Sequence, residues 1–231
     1  MIQLTKLIIG YKSELLRSEN LQLTSGSIYA LIGRNGIGKS TFIQTIAGVQ
    51  KPMSGQITIN DQALSKFNRK EIAETISLVD TRFEGVEYLK VKDYLALGRA
   101  PYTDSFGRLN SSDWQIVEHV ATDLSIVHLL EKYTDQISDG ERQLCSVARS
   151  FVQETPVILL DEPTAFLDYI NRKNLLELLV RLSIEKKKCI IMSTHDLDLC
   201  LDQSIPFLLA ANGEINLHET LTKEAILLAM S

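Results

Sequence analysis

Gly33-Arg34-Asn35-Gly36-Ile37-Gly38-Lys39-Ser40-Thr41 gathers residue types suited to one task, holding a chain of phosphates. The run fits the pattern GxxxxGK[ST]. Its glycines let the backbone curl close to phosphate oxygens with N–H groups turned inward. A helix opening after Gly38 adds its N-terminal N–H groups and the positive end of its dipole. Lys39 offers a point charge to the β- and γ-phosphates of a nucleotide, and the Ser40 hydroxyl a ligand for Mg²⁺. A second candidate pair ends the apolar run Val157-Ile158-Leu159-Leu160-Asp161-Glu162. On a buried parallel strand that end opens into the ligand crevice. There Asp161 can hold Mg²⁺ through its water shell, and Glu162 can orient or polarise an attacking water. Taken alone, the acidic pair reads equally as the exit of a strand into a turn.

These groups need elements to position them. Residues 2–9, 21–23, 27–32 and 56–59 read as strands, punctuated by Gly10, Ser25-Gly26 and the stretch from Pro52 to Gly55. The strand at 29–32 leads into the glycine-rich loop, and a helix is expected from Gly38 to about Val49. The middle of the chain changes character. Residues 68–76, 91–99 and 113–123 look helical, with Trp114, Val117, Val120 and Leu124 at helical spacing and Ser112 as the expected N-cap. Residues 102–107 read as a loop. From Val157 the pattern is strand 157–160, helix 171–184, strand 189–193, helix 196–202, a βαβ unit with parallel strands. The expectation is an α/β fold: a P-loop NTPase core with a mostly parallel sheet, an N-terminal antiparallel β portion, and an inserted helical subdomain. The core takes residues 1–81 and 152–231, and the insertion residues 82–151.

Composition narrows the classes. With 231 residues and 45% hydrophobic, the chain can bury a sizeable core as one domain. A formal charge of −5 argues against free nucleic-acid binding, which needs a basic face. Lys186-Lys187-Lys188 is too short a run to alter that and reads as a solvated helix end. Three cysteines without CxxC spacing predict a reducing compartment and small apolar packing roles. The first residues lack the basic start and apolar length of a signal peptide. No stretch approaches the ~18 apolar residues of a membrane span, so a membrane role is expected through a partner.

Other short blocks carry a resemblance. Ile137-Ser138-Asp139-Gly140-Glu141-Arg142-Gln143 resembles the LSGGQ signature of the ATP-binding cassette (ABC) ATPases, and lies about twenty residues before Asp161-Glu162-Pro163-Thr164. Ala165-Phe166-Leu167-Asp168 is similar to that family's D-loop, and Ser193-Thr194-His195-Asp196 to its switch-histidine segment. Tyr11, after Gly10, resembles the aromatic that stacks on adenine. The elements occur in the family's order over nearly the whole chain. Each has a plainer reading alone: Tyr11 a half-buried strand aromatic, His195 a strand-end histidine, Asp168 a helix-entry residue, Ser138-Asp139-Gly140 a helix cap.

The resemblance implies binding of ATP with Mg²⁺ at Tyr11, the 33–41 loop, Ser40 and Asp161, and hydrolysis through Glu162 and His195. It implies a second copy, whose Ser138, Gly140 and Asp168 reach the first copy's nucleotide across a head-to-tail interface. It implies transmembrane permease partners, a substrate-binding protein more remotely, and a place on the cytoplasmic inner face of the cell membrane. Residues 95–102, Leu-Ala-Leu-Gly-Arg-Ala-Pro-Tyr, with Phe106-Gly107-Arg108 beyond, are similar to a GR-x-P-Y/H stretch of importer ATPases for iron–siderophore complexes, haem and cobalamin. With the sequence reaching Ser231 soon after the last helix, the extra regulatory domain of many sugar-importer ATPases is not expected. Exporter ATPase, weakly active regulatory subunit, and soluble ABC protein of translation or DNA repair are the competing readings. Two departures stand out. Asp80-Thr81 follows the strand-like 76–79 where the family has a glutamine, and Asp139 and Glu141 replace the commoner Gly and Gln. Both bear on coupling geometry more than on ATP binding.

Overall fold

The computed structural model describes residues 1–229 apart from Arg82 and Ser105. The expected first residue of the insertion, Arg82, and the chain end at Ser231 lie outside the described residues. Ten strands are present among them: β1 (Ile2–Gly10), β2 (Glu14–Leu23), β3 (Ser27–Gly33), β4 (Ser54–Ile59), β5 (Gln62–Ala63), β6 (Ile76–Val79), β7 (Val157–Asp161), β8 (Cys189–Ser193), β9 (Phe207–Ala211) and β10 (Glu214–His218). The helices are α1 (Lys39–Ile46), α2 (Arg69–Thr75), α3 (Val91–Ala96), α4 (Ser111–Asp123), α5 (Asp139–Val152), α6 (Tyr169–Glu185), α7 (Leu197–Asp202) and α8 (Lys223–Ala229). The sheet runs in the order β5-β4-β1-β2-β10-β9-β3-β8-β7-β6. Strands β9, β3, β8, β7 and β6 are parallel to their neighbours in that series, whereas β1 pairs antiparallel with β2 and β4.

The parallel strands are apolar throughout because both of their faces are covered. Ile28, Ala30 and Ile32 of β3 join one core with Ile158, Leu160, Ile190 and Met192 and with side chains of α3 to α6. The alternate residues Tyr29 and Leu31 join a second core with Leu159, Ile191, Phe42, Ile43 and Ile46 of α1, and the inner faces of β1, β2 and β4. Helix α1 is thus packed against both the parallel strands and the antiparallel layer, which fixes where its N-terminus points.

Several boundaries differ from the sequence expectation. Helix α4 begins two residues earlier, capped by Asn110 in a capping box with Asp113, and Ser112 lies inside the helix. Asn110 Oδ1 accepts the Asp113 N–H at 3.0 Å. Helix α1 stops at Ile46, where Gly48 takes φ 72° and its N–H bonds Thr45 O. Residues 97–102 wind into a 3₁₀ turn instead of continuing α3. Strand β2 is longer than expected. Its buried residues are Leu16 and Ser18, then Leu21 and Leu23, so the two-residue alternation slips midway and hides the strand. The β9–β10 hairpin and α8 are elements beyond the sequence expectation. The hairpin had a signal, Asn212-Gly213 between two apolar runs. All three cysteines are free and buried, and burial pushes their thiols up to about 12, as for inert packing residues.

Candidate nucleotide and water site

The glycine-rich loop leaves β3, which ends at Gly33, and enters α1 at Lys39. Gly38 is the N-cap with φ 119°, a region closed to residues with a Cβ. A Cβ at Gly33 would lie 2.7 Å from Ala210 O, so the loop's first residue is pinned against β9. Arg34, Asn35, Gly36 and Ser40 are exposed, Ile37 is half-buried, and Thr41 is buried beneath them. Lys39 turns back into the loop. Its Nζ donates to Gly33 O at 2.9 Å and to Arg34 O at 3.3 Å. Burial pushes its ammonium below the ordinary lysine value, against the raising fields of Glu162 and Asp161. The cation and the two carboxylates therefore lie close enough to act on one another.

Parallel register brings the carboxylates there. Asp161 ends β7 opposite Ser193 at the end of β8. Buried Ser193 serves both acids: its Oγ donates to Asp161 Oδ1 at 2.5 Å and accepts the Glu162 N–H at 2.9 Å. Glu162 sits at φ 51°, where the strand breaks into the turn and the side chain leaves the sheet. Its Oε1 is 3.0 Å from His195 Nε2. Thr194, between Ser193 and His195, donates its N–H to Leu31 O at 3.2 Å, tying the segment to β3 beside the loop. In the sequence Ser193 stands out only as a member of the Ser193-Thr194-His195-Asp196 block. A lone serine at a strand end carries no signal; the role comes from register.

The remaining candidates are arranged around this centre. Tyr11 is 67% exposed in the β1–β2 turn, so its ring face is open to a ligand. That hairpin borders the loop, since Leu16 Cδ1 would touch a Cβ on Gly38 at 3.2 Å. Ser138 caps α5 in a capping box with Glu141, whose carboxylate accepts the Ser138 N–H at 2.7 Å. A Cβ on Gly140 would meet Leu167 Cδ2 at 3.1 Å and Phe166 O at 3.3 Å, so the signature packs on the 166–167 turn. Asp168 caps α6, accepting the Asn171 N–H at 2.9 Å, and remains exposed. Asp80 is exposed just beyond β6, level with Asp161 by the β6–β7 register, and Thr81 is half-buried.

An exposed phosphate loop with a buried lysine, a strand-end aspartate and a Glu–His pair together define a nucleotide-hydrolysing P-loop site. Comparison with known proteins agrees. The ABC transporter family model matches residues 16–165, well over half of the chain. An uncharacterized ABC transporter ATP-binding protein of Methanocaldococcus jannaschii is 38% identical over 202 residues, 87% of this chain and 70% of that protein. The iron(3+)-hydroxamate import ATP-binding protein FhuC of Bacillus subtilis is 33% identical over 191 residues, 82% of this chain and 71% of that protein. A solved inward-facing structure described as a metal-chelate type ABC transporter superposes with TM-score 0.85 at 28% identity, covering 99% of this chain and 88% of that one. The chain belongs to the ABC transporter family and is an ATP-binding, ATP-hydrolysing subunit. Tyr11, Asp168 and His195 lie outside the matched span, so their placement rests on the geometry above.

Proposed function

We propose that this subunit powers uptake of a chelated metal, of the iron–siderophore, haem or cobalamin type, through partner permease subunits. The name of the FhuC relative, the metal-chelate type of the solved neighbour and the Gly98-Arg99-Ala100-Pro101-Tyr102 stretch support the substrate class. No helix among the described residues is long and apolar enough to cross a membrane, so the passage belongs to the partners. The working place is the cytoplasmic inner face of the cell membrane. A binding protein would act on the permease and not on this chain.

In the proposed chemistry, the adenine stacks on Tyr11 and the phosphates lie along the N–H groups of residues 33–41. Lys39 swings from Gly33 O to the β- and γ-phosphates, a move favoured because its charge is under-solvated at rest. The donor set suits Mg²⁺: a serine hydroxyl at Ser40 and a carboxylate at Asp161, whose Oδ2 has no hydrogen-bond partner among the described residues. Bound there, Mg²⁺ would offset charge building on the phosphate oxygens. Glu162 takes a proton from the attacking water, and His195 orients Glu162 through the 3.0 Å contact and faces the γ-phosphate. Ser138, Gly140 and Asp168 complete the site of a second copy. Nothing in this scheme calls for nucleic acid.

The observation that carries the ATPase roles is the His195–Glu162 contact beside a buried serine that orients Asp161. Glu162→Gln keeps the shape and removes the base. Hydrolysis should fall roughly 10²–10⁴-fold with ATP binding retained. Wild-type turnover in that variant would refute the assignment. For the substrate class, uptake of radiolabelled ferric hydroxamate, haem and cobalamin by cells with and without the gene separates the three; no change in any would reject the class.

A further inference from the structure

We propose that Arg172 is a positioning residue that keeps His195 against Glu162 by tying two loops together. Arg172 lies near the start of α6. Its Nε donates to Leu167 O at 3.0 Å, and its Nη1 to Asp196 Oδ1 at 2.8 Å. One planar guanidinium thus spans the residue before Asp168 and the residue after His195. The connections then close on themselves. The Leu167 N–H bonds Thr164 O at 3.3 Å and the Ala165 N–H bonds Glu162 O at 3.0 Å, which folds the turn leading from Glu162 to Leu167. From Leu167 the path runs through Arg172 to Asp196, then to His195, and back to Glu162 at 3.0 Å.

Helix stability does not account for an arginine here. A cation near a helix N-terminus faces the positive end of the dipole. Asp196 offsets that cost, and its side chain is only 15% exposed, so the pair is shielded on the acidic side. Before His195 the segment is tied to β3 by the Thr194 N–H on Leu31 O, but from His195 onward its bonds are local, Asp196 N–H to Thr194 Oγ1 at 3.0 Å and Leu197 N–H to His195 O at 3.0 Å. His195 itself is half exposed and needs its backbone fixed from outside. Lysine would not serve, because an ammonium is a point charge without a fork that engages a carbonyl and a carboxylate together.

The proposal rests on the roles given above to Glu162 and His195, and the test separates the two. Full-length wild type, Arg172→Ala, Arg172→Lys, Asp196→Asn and the Arg172→Ala/Asp196→Asn double variant are assayed for kcat, ATP KM and fluorescent-nucleotide affinity, with Glu162→Gln alongside. Arg172→Ala should lower kcat on the order of 10–100-fold, the penalty of misplacing a reacting group by about an ångström. ATP KM and nucleotide affinity should stay within about twofold, because the phosphate loop stands on other elements. Arg172→Lys should recover little of the loss. The double variant should be no slower than its slower parent, since both changes cut one link. Wild-type kcat in a folded Arg172→Lys or Arg172→Ala protein, a loss confined to KM, or losses that multiply in the double variant would each overturn the proposal. If Arg172→Ala does not fold, Arg172→Lys decides alone. Full turnover in Glu162→Gln would instead refute the underlying site assignment.

Discussion

Lys39 illustrates how one residue balances function against stability. Its ammonium is buried beside two carboxylates, yet desolvation outweighs their attraction and lowers its proton affinity. The native state therefore binds that proton less tightly than the unfolded chain, and the charge burdens the empty fold at neutral pH. Lys39→Met should leave the nucleotide-free unfolding midpoint unchanged or higher. It should also abolish the stabilisation by ATP, worth about 2.7 kcal/mol at a hundredfold excess over Kd. Thermal scans with and without nucleotide check both halves, and a lowered midpoint without ATP would contradict the burden. Thr81 is the second residue of interest. A hydroxyl is too short to reach where an amide would, and exposed Asp80 stands beside the Asp161 strand end. The contact is expected to be lost and not replaced. Thr81→Gln should raise turnover and Asp80→Ala should change it little across a Mg²⁺ titration. Collapse of Asp80→Ala alone would assign the metal contact to Asp80.

At the scale of elements, the GR-x-P-Y stretch proves to be an internal strut. Arg99 Nε bonds Asp113 Oδ1 at 2.9 Å and its Nη1 bonds Val152 O at 3.0 Å and Glu154 Oε2 at 2.9 Å. Its guanidinium also lies 4.3 Å from the Tyr102 ring centre. The 3₁₀ turn, α4 and the end of α5 are thus joined through one buried ion pair. Removing one partner of such a pair strands the other, so Arg99→Ala should destabilise the protein by about 3–5 kcal/mol in denaturant titration. The backbone hydrogen bond from Asn110, with help from Arg99, holds Asp113 below its ordinary value of 3.8. Its contribution is fully present above about pH 4 and is lost only as pH falls through the lower folded value. The Asp113→Asn variant should therefore differ from wild type at pH 7 and converge with it in strong acid. The sequence marked this stretch as a motif but showed nothing of its burial, because arginine is so rarely buried that composition points the other way.

For the whole molecule, the central expectation is pairing of two copies through ATP. Ser138 and Asp168 are exposed helix caps whose elements meet at the Gly140–Leu167 contact, with exposed Phe166, Tyr169 and Ile170 next to Asp168. Glu162→Gln with ATP should elute as a dimer by size exclusion with light scattering. Adding Ser138→Arg to that protein should return it to monomer while each copy still binds nucleotide. A Ser138→Arg protein that still dimerises with ATP would show that the signature lies outside the interface.

What the chain's order alone determined is everything carried by contiguous residues. The phosphate loop, the Asp161-Glu162 strand end, the signature cap and the βαβ pattern each fit within a few residues of local physics. Glycine conformations, helix dipoles and apolar periodicity act at that range. The tertiary structure alone decided which distant residues serve those motifs. Ser193 reaches Asp161 because two strands share a register, and Arg172 reaches Asp196 because α6 packs beside the β8–α7 turn. Placement of β9 and β10 between β2 and β3 was likewise beyond local pattern. A hydrogen bond between residues 24 or 32 positions apart leaves no periodic trace, since it depends on how whole strands and helices stack rather than on the neighbours of either partner.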